Sequence, residues 1–289
     1  MNVKAFLMLL PSLSVFGAFM FWPLARTFYI SFFEWNMVSP VKKFVGLGNY
    51  AALLGSPLVH RVLGNTAAYA LILLAVNFVV PYVLAFVLSQ VVKRGRALYK
   101  GAFFLPSVIS LVVGSMIYTW ILNPISGPVA IAAQRLGLSA PIWSKTEGAV
   151  IVVLSLVTSW KIFGYNFIVI LGGVSGVSSE VIEAARVDNV PLWRIFTDIV
   201  LPMSSATGVY LFVMTVVQGM QFLFTPIRVL TMGGPNYASS NLVYHSYHEM
   251  FVVYRTGTGS ALAVITLLGF AFLLFLEFRF VEGRVYYES

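Results

Sequence analysis

The stretch that decides the fold reads Glu183-Ala184-Ala185-Arg186-Val187-Asp188-Asn189-Val190-Pro191 and closes at Leu201-Pro202. It is short and polar, and a long hydrophobic run lies on each side of it. Such a segment does not cross a bilayer, because charged side chains in hydrocarbon are costly. We therefore expect it to lie at a membrane face and to contact a partner in water.

Composition places the rest of the chain in lipid. Of its 289 residues, 59% are hydrophobic and 10% are charged, whereas soluble domains carry about 25% charged residues. The apolar runs are continuous and reach the length of about 20 residues that a membrane helix needs, without the alternation of a barrel strand. The sequence predicts one all-α polytopic membrane domain over 1–289, with six transmembrane helices. Their expected bounds are about 5–30, 66–92, 102–122, 149–172, 199–224 and 257–281.

Basic residues indicate the orientation. With an even number of spans, both termini lie on one side, and the short link 93–101 lies there too. That link holds the cluster Lys93, Arg94, Arg96 and Lys100, whereas the opposite side spreads its basic residues over longer loops. The positive-inside rule places the termini and the polar stretch in the cytoplasm. Topology thus accounts for the net charge of +8, and we expect no nucleic-acid partner.

The ends and the cysteine count exclude other readings. The first apolar run is too long for a signal peptide and no small-residue cleavage site follows it, so we expect the first helix to be retained. The chain has no cysteine, which excludes a disulfide framework and thiolate chemistry.

The polar stretch, which we call the cytoplasmic segment (178–202), carries signals for two helices. Ser178 or Ser179 suits a helix N-cap, and Asn189 tolerates the left-handed conformation that ends a helix. Pro191 suits the first turn of a second helix. Four acidic residues against two basic ones match an anionic lipid surface poorly, which favours protein docking over lipid docking; the acidic residues are Glu180, Glu183, Asp188 and Asp198.

The spacing in this segment resembles the EAA motif of permease subunits in binding-protein-dependent ABC importers. That motif reads Glu-Ala-Ala, then Asp-Gly-Ala, an aromatic residue, an aliphatic residue and Leu-Pro. The matching positions are Glu183-Ala184-Ala185, Asp188, Phe196, Ile199 and Leu201-Pro202. Asn189 replaces the family's Gly and Val190 its usual Ala, but Asn also adopts a positive φ at modest cost.

Further motifs are similar to the carbohydrate branch of that family, and the chain looks closest to its maltose-type and glycerol-3-phosphate-type first permeases. They are Phe44-Val45-Gly46-Leu47-Gly48-Asn49-Tyr50, Leu105-Pro106, Trp160 and Thr231-Met232-Gly233-Gly234-Pro235. The resemblance implies the fold of a type I importer permease, with a coupling helix between transmembrane helices 4 and 5.

The resemblance also implies partners. The coupling helix would seat in a cleft of an ATPase subunit, where Glu183 pairs with a basic residue. The implied complex lies in the bacterial inner membrane and contains a second, usually different, permease, two ATPase subunits and an extracytoplasmic solute-binding protein. This chain has no phosphate-binding loop, so ATP and Mg²⁺ belong to the ATPase subunits, and we expect neither a cofactor nor enzyme activity here. The coupling residues are Glu183, Ala184, Ala185, Arg186, Asp188 and Asn189.

Polar residues inside predicted spans are candidates for the solute path, because burying them in lipid is costly. The resemblance to the maltose-type subunit places solute contacts at Ser107, Tyr165 and Thr215. The alternative is that Ser and Thr bond their own helix and that amides bridge helices. The full candidate set is Ser107, Ser110, Trp160, Lys161, Tyr165, Asn166, Thr215, Gln218 and Gln221.

Lys161 bears on the solute. A cation inside a span favours an acidic solute, such as a uronate oligosaccharide or a phosphorylated polyol, unless its side chain snorkels to the interface. The expected function is therefore half of a translocation path for a sugar or oligosaccharide, with an acidic or phosphorylated solute left open.

Other classes of protein fit the sequence less well. An ion-coupled secondary transporter of a small polar solute is the alternative, but it usually needs carboxylates within its spans, and predicted spans two to five have none. An intramembrane enzyme needs a nucleophile–base pair or a metal at membrane depth. His245 and His248, beside Glu249, lie in the last outer loop; two histidines without a clear third ligand make a weak site. We predict no metal site and a loop that contacts the binding protein.

Overall fold

The computed structural model describes residues 3–138 and 142–280, and this part of the chain is mostly helical. A small antiparallel hairpin pairs Phe33 with Phe44 and Glu34 with Lys43. The α-helices are Val3–Phe16, Trp22–Ile30, Gly48–Leu54, Pro57–Leu74, Val80–Gln90, Arg96–Val108, Leu111–Ile121, Pro128–Arg135, Ala149–Ser175, Ser179–Val187, Leu192–Arg194, Leu201–Met203, Ser205–Pro226, Leu242–Tyr247 and Thr256–Phe280. Single π-helical stretches are Gly17–Phe21, Ala75–Val79, Ile195–Val200, Ile227–Thr231 and His248–Val252, and Trp143–Lys145 is a 3₁₀ turn.

Within the described residues, five helical stretches are long and apolar enough to cross a membrane, and a bent helix pair supplies a sixth crossing if it counts as one span. The prediction of an all-α polytopic membrane protein is confirmed. We number the crossings in chain order as span 1 (Met8–Ile30), span 2 (Pro57–Gln90), span 3 (Arg96–Val108 with Leu111–Ile121), span 4 (Ala149–Ser175), span 5 (Ser205–Thr231) and span 6 (Thr256–Leu276).

The predicted bounds of spans 2 and 5 are wrong at their ends. Span 2 begins at Pro57, well before the expected start at about 66, because its helix continues outside the apolar run through polar residues. One of these, Arg61, pairs with Glu147 at 2.5 Å. Span 5 begins at Ser205, because Ser204 leaves the helical conformation with φ −96° and ψ 12°. A one-residue break does not alter the hydrophobic pattern.

Span 3 differs most from its prediction as one helix over 102–122. Its two helices meet at 96°. Ile109 and Ser110 between them have ψ values of 139° and 131°, which are extended rather than helical. The residues around this break are apolar like the rest of the run, so composition does not reveal it.

Compactness divides the chain into two units. Unit 1 combines Met1–His60 with Leu242–Gly269, and unit 2 combines Arg61–Asn241 with Phe270–Ser289. In unit 1, the amide side chain of Asn49 donates to the carbonyls of Ser31 (2.8 Å) and Phe33 (3.0 Å), which ties a short helix to the hairpin. The single membrane domain stays a prediction.

The core of unit 2 lies among span 2, span 4 and the cytoplasmic segment. Tyr82 and Phe86 of span 2 pack in one apolar cluster with Phe167 of span 4 and with Ile182 and Ile195 of the cytoplasmic segment. This cluster anchors the segment to the spans.

Small residues allow the spans of unit 2 to approach closely. A Cβ atom on Gly164 would collide with the backbone carbonyl of Phe103 and would lie 2.6 Å from Ser107 Oγ. Span 4 therefore packs directly on the backbone of span 3, as helices in membranes do where small residues face each other.

Candidate functional site

The cytoplasmic segment begins with a helix over Ser179–Val187. Ser178 occupies its N-cap position, but its hydroxyl makes no capping hydrogen bond. Glu180 lies in the first turn, where a carboxylate interacts favourably with the helix dipole. The predicted short helix is thus present, with the start that the two serines indicated.

A hydrogen-bonded turn ends this helix at Asn189, whose φ is +58°. The amide of Val190 donates to the carbonyl of Ala185 (2.9 Å), and that of Asn189 donates to the carbonyl of Arg186 (3.1 Å). These two bonds and the left-handed residue form a Schellman motif, in which Gly is the commonest residue. The expected positive φ at Asn189 is confirmed.

The second helix of the segment starts one residue later than predicted. Pro191 has φ −67° but ψ 146°, so it precedes the helix instead of forming its first turn. Leu192–Arg194, a π-helical stretch over Ile195–Val200 and Leu201–Met203 then continue without an extended residue to Ser204.

The two faces of the first helix have different neighbours. Ile182 and Ala185 are buried, with exposed fractions of 3% and 8%, and face the apolar core. Glu183 and Ala184 are exposed, and Val187 beside them is 80% exposed. Of the predicted coupling residues, Ala185 therefore contributes packing, whereas Glu183, Ala184, Asp188 and Asn189 present side chains to the outside.

Arg186 links the segment to span 2. Its Nη2 donates to the backbone carbonyl of Gln90 (2.9 Å) and to the Oε1 of the same residue (3.1 Å). Gln90 ends the helix Val80–Gln90, where carbonyls lack intrahelical partners and the dipole favours a cation. The sequence carries no signal for this contact.

A buried polar network joins spans 2, 4 and 5. The amide of Asn166 donates to Thr215 Oγ1 (2.8 Å) and to the carbonyl of Asn77 (2.7 Å), and Asn77 donates to Ser159 Oγ (2.7 Å). Thr215 is fully buried and Asn166 is 1% exposed. Asn166 and Thr215 thus bridge helices, as the alternative reading of the candidate path residues expected. Asn77 and Ser159 were missed, because a lone polar residue in an apolar run does not identify its partners.

Lys161 lies near the middle of span 4 and contacts the break in span 3. Its Nζ donates to the backbone carbonyls of Ser107 and Ile109, the latter at 2.8 Å. These carbonyls belong to the end of the helix Arg96–Val108, and such groups need a partner at membrane depth. None of the ion pairs in the described chain includes Lys161, so two neutral carbonyls hold an uncompensated cation.

The remaining candidate path residues are not gathered at one point. Trp160 packs edge-on against Tyr118 with ring centroids 5.7 Å apart. The half-buried residues are Ser107, Trp160 and Gln218, and the exposed ones are Ser110, Tyr165 and Gln221. The structure thus brings Ser107 to Lys161, and Asn166 to Thr215.

In unit 1, Glu249 joins the two histidines of the last outer loop. One ligand atom each from His245, His248 and Glu249 lies within 4.8 Å of the others. Arg255 forms an ion pair with Glu249, with Nε 2.9 Å from Oε2. Burial, with the charges of His248 and Arg255, lowers the pKa of His245 to about 4. The third ligating group that the histidine pair lacked is therefore present.

Comparison with known proteins identifies the family. Residues 82–285 match the family described as "Binding-protein-dependent transport system inner membrane component". The chain belongs to this family. It is 30% identical to the sn-glycerol-3-phosphate transport system permease protein of Brucella abortus, over 99% of this chain and 97% of that protein. It is also 30% identical to a probable ABC transporter permease protein of Bacillus subtilis, over 97% of each.

Solved structures agree with this assignment. A bacterial alginate ABC transporter in complex with an alginate pentasaccharide-bound periplasmic protein matches with a TM-score of 0.81 and 21% identity, over 95% of this chain and 92% of that one. A bacterial ABC transporter involved in the import of alginate matches with a TM-score of 0.81 and 22% identity, over 96% of both chains.

The family membership decides between the functional readings. This chain is a multi-pass permease component of a binding-protein-dependent ABC importer of the carbohydrate type, as its motifs indicated. It is a transport component, and the alternative of an ion-coupled secondary transporter is set aside.

Proposed function

We propose that this permease forms half of the translocation path for a sugar, oligosaccharide or polyol that carries an acidic or phosphate group. The observation that carries the proposal is Lys161, a cation near the middle of span 4 with no carboxylate partner in the described chain. The printed solutes of its relatives support it, since glycerol 3-phosphate and alginate are both anionic.

The geometry at Lys161 leaves capacity for a ligand. An ammonium has three N–H donors, and the carbonyls of Ser107 and Ile109 take two of them. The third is available to a carboxylate or phosphate oxygen. Because the surroundings are apolar, the attraction between opposite charges is stronger there than in water. Ser110 is exposed at the same break and adds a hydroxyl beside this position.

The cytoplasmic segment supplies the coupling. Glu183 on its exposed face would pair with a basic residue in the cleft of an ATPase subunit, which binds ATP and Mg²⁺. Motion of the segment would reach span 2 by the Arg186–Gln90 contact and by the shared apolar core. The complex would hold two permeases, of which the second is a different chain, two ATPase subunits and an extracytoplasmic solute-binding protein. Both termini of this chain would lie in the cytoplasm of a bacterium.

The charge hypothesis is tested by uptake into proteoliposomes that contain the whole importer and its binding protein. Matched solutes are compared, such as an oligouronate with the neutral oligosaccharide of equal length. We expect Lys161→Met to lower uptake of the acidic solute by about tenfold, which corresponds to about 1.4 kcal/mol.

Lys161→Arg keeps the charge and serves as the control, so it should retain preference for the acidic solute. Equal loss of acidic and neutral uptake in Lys161→Met would show that the lysine holds the break in span 3 and does not select the solute. An importer that carries only neutral solutes would contradict the proposal.

A further inference from the structure

The cluster in the last outer loop has the composition of a metal site. His245 and His248 are three residues apart, and Glu249 is four residues from His245. Residues at these separations share one face of a helix, and this region is helical from Leu242 to Val252. The three ligand atoms lie within 4.8 Å of one another.

Burial distinguishes this cluster from an ordinary polar loop. His245 is 2% exposed and Glu249 is 3% exposed, although polar groups are costly to bury without strong partners. The imidazole rings of His245 and His248 are nearly parallel, at 13°, with centroids 6.3 Å apart. The low pKa of His245, about 4, leaves its ring uncharged at neutral pH, and the neutral imidazole is the form that binds metals.

From this geometry we infer that His245, His248 and Glu249 bind a divalent cation, with zinc as the best match. Two imidazoles and one carboxylate form a common zinc-binding set, in which water or a further group takes the fourth position. Zinc bonds of about 2.0–2.2 Å in a tetrahedron place the ligand atoms about 3.3 Å apart. Rotation of the side chains within the observed 4.8 Å is enough to reach that spacing.

Arg255 has two effects on such a site. Its Nε lies 2.9 Å from Glu249 Oε2, and its Nη2 donates to Oε1 at 3.2 Å. Hydrogen bonds of this kind orient a ligating carboxylate. The guanidinium charge also repels the cation, so the site should bind zinc less tightly than a structural zinc site does.

The experiment measures zinc bound to the intact purified importer, which carries an affinity tag without histidine. After treatment with a chelator, the complex is dialysed against zinc chloride, and the metal content is measured by mass spectrometry. We expect His248→Asn and Glu249→Gln each to weaken zinc binding by about tenfold or more. His60→Asn is the matched control, because the ring of His60 contacts the carbonyl of Leu54 outside the cluster.

Cobalt substitution gives a readout that needs no variant of a buried residue. Strong visible absorption bands of tetrahedral Co²⁺ in the wild-type importer, lost in His248→Asn, support the site. The inference is overturned if the wild type shows only weak octahedral bands. Zinc that is retained in His248→Asn and Glu249→Gln, or lost equally in His60→Asn, also overturns it.

Discussion

The cytoplasmic segment and the break in span 3 both interrupt a helix, but different residues hold them. At Asn189 the chain bends through bonds between close neighbours, with Val190 donating to Ala185. At Ile109 the exposed carbonyls are taken by Lys161, which is 52 residues away. The comparison teaches that a turn in water can be encoded locally, whereas a break at membrane depth needs a partner from another span, because lipid offers no hydrogen bonds.

The largest expected effect separates these two kinds of interruption. A peptide of residues 96–122 in micelles lacks Lys161, so its helix should run through residues 107–112 and the 96° bend should be lost. NMR chemical shifts and sequential amide contacts would measure this. A peptide that keeps extended backbone at Ile109 and Ser110 would show that the break is local after all.

A second expected effect concerns the exposed face of the cytoplasmic segment. Glu183→Ala should lower ATP-driven uptake by about tenfold or more, because the loss of one partner from a desolvated charge pair costs about 2–5 kcal/mol. Uptake and the ATPase rate would be measured in the same proteoliposomes. Stability should not change, since Glu183 is exposed.

Glu180→Ala is the control for that change, because it removes an acidic side chain of the same helix outside the Glu-Ala-Ala motif. It should leave uptake within about twofold, as surface charges contribute little. Equal losses in both variants would indicate a general charge effect and not a specific contact at Glu183.

The smallest expected effect tests the local turn. Asn189→Gly should change stability by less than about 1 kcal/mol, because Gly adopts φ +58° without strain. Asn189→Val should destabilise the importer by about 1–2 kcal/mol, because a β-branched residue is strained in the left-handed region. Thermal unfolding of the purified complex measures both. If both variants keep wild-type stability but lose uptake, the amide of Asn189 has a chemical role instead.

The candidate sites were predictable to different degrees. Glu183 and Asn189 could be placed because capping signals and motif spacing act over a few residues. The solute path was less accessible: Asn166 and Thr215 form buried contacts between spans, and Lys161 holds the end of another helix. Their side chains were recognisable as unusual in lipid, but their partners were not.

The sequence by itself determined the number and class of helices, the family, and the positive φ that ends the first helix of the cytoplasmic segment. Hydrophobic runs and local turns depend on residues that are neighbours in the chain. Only the tertiary structure decided where span 3 breaks and which residues support the spans and the segment. Asn166 meets Asn77 across 89 residues and Arg186 meets Gln90 across 96, and bonds over such separations arise from packing, which leaves no periodic pattern in the chain.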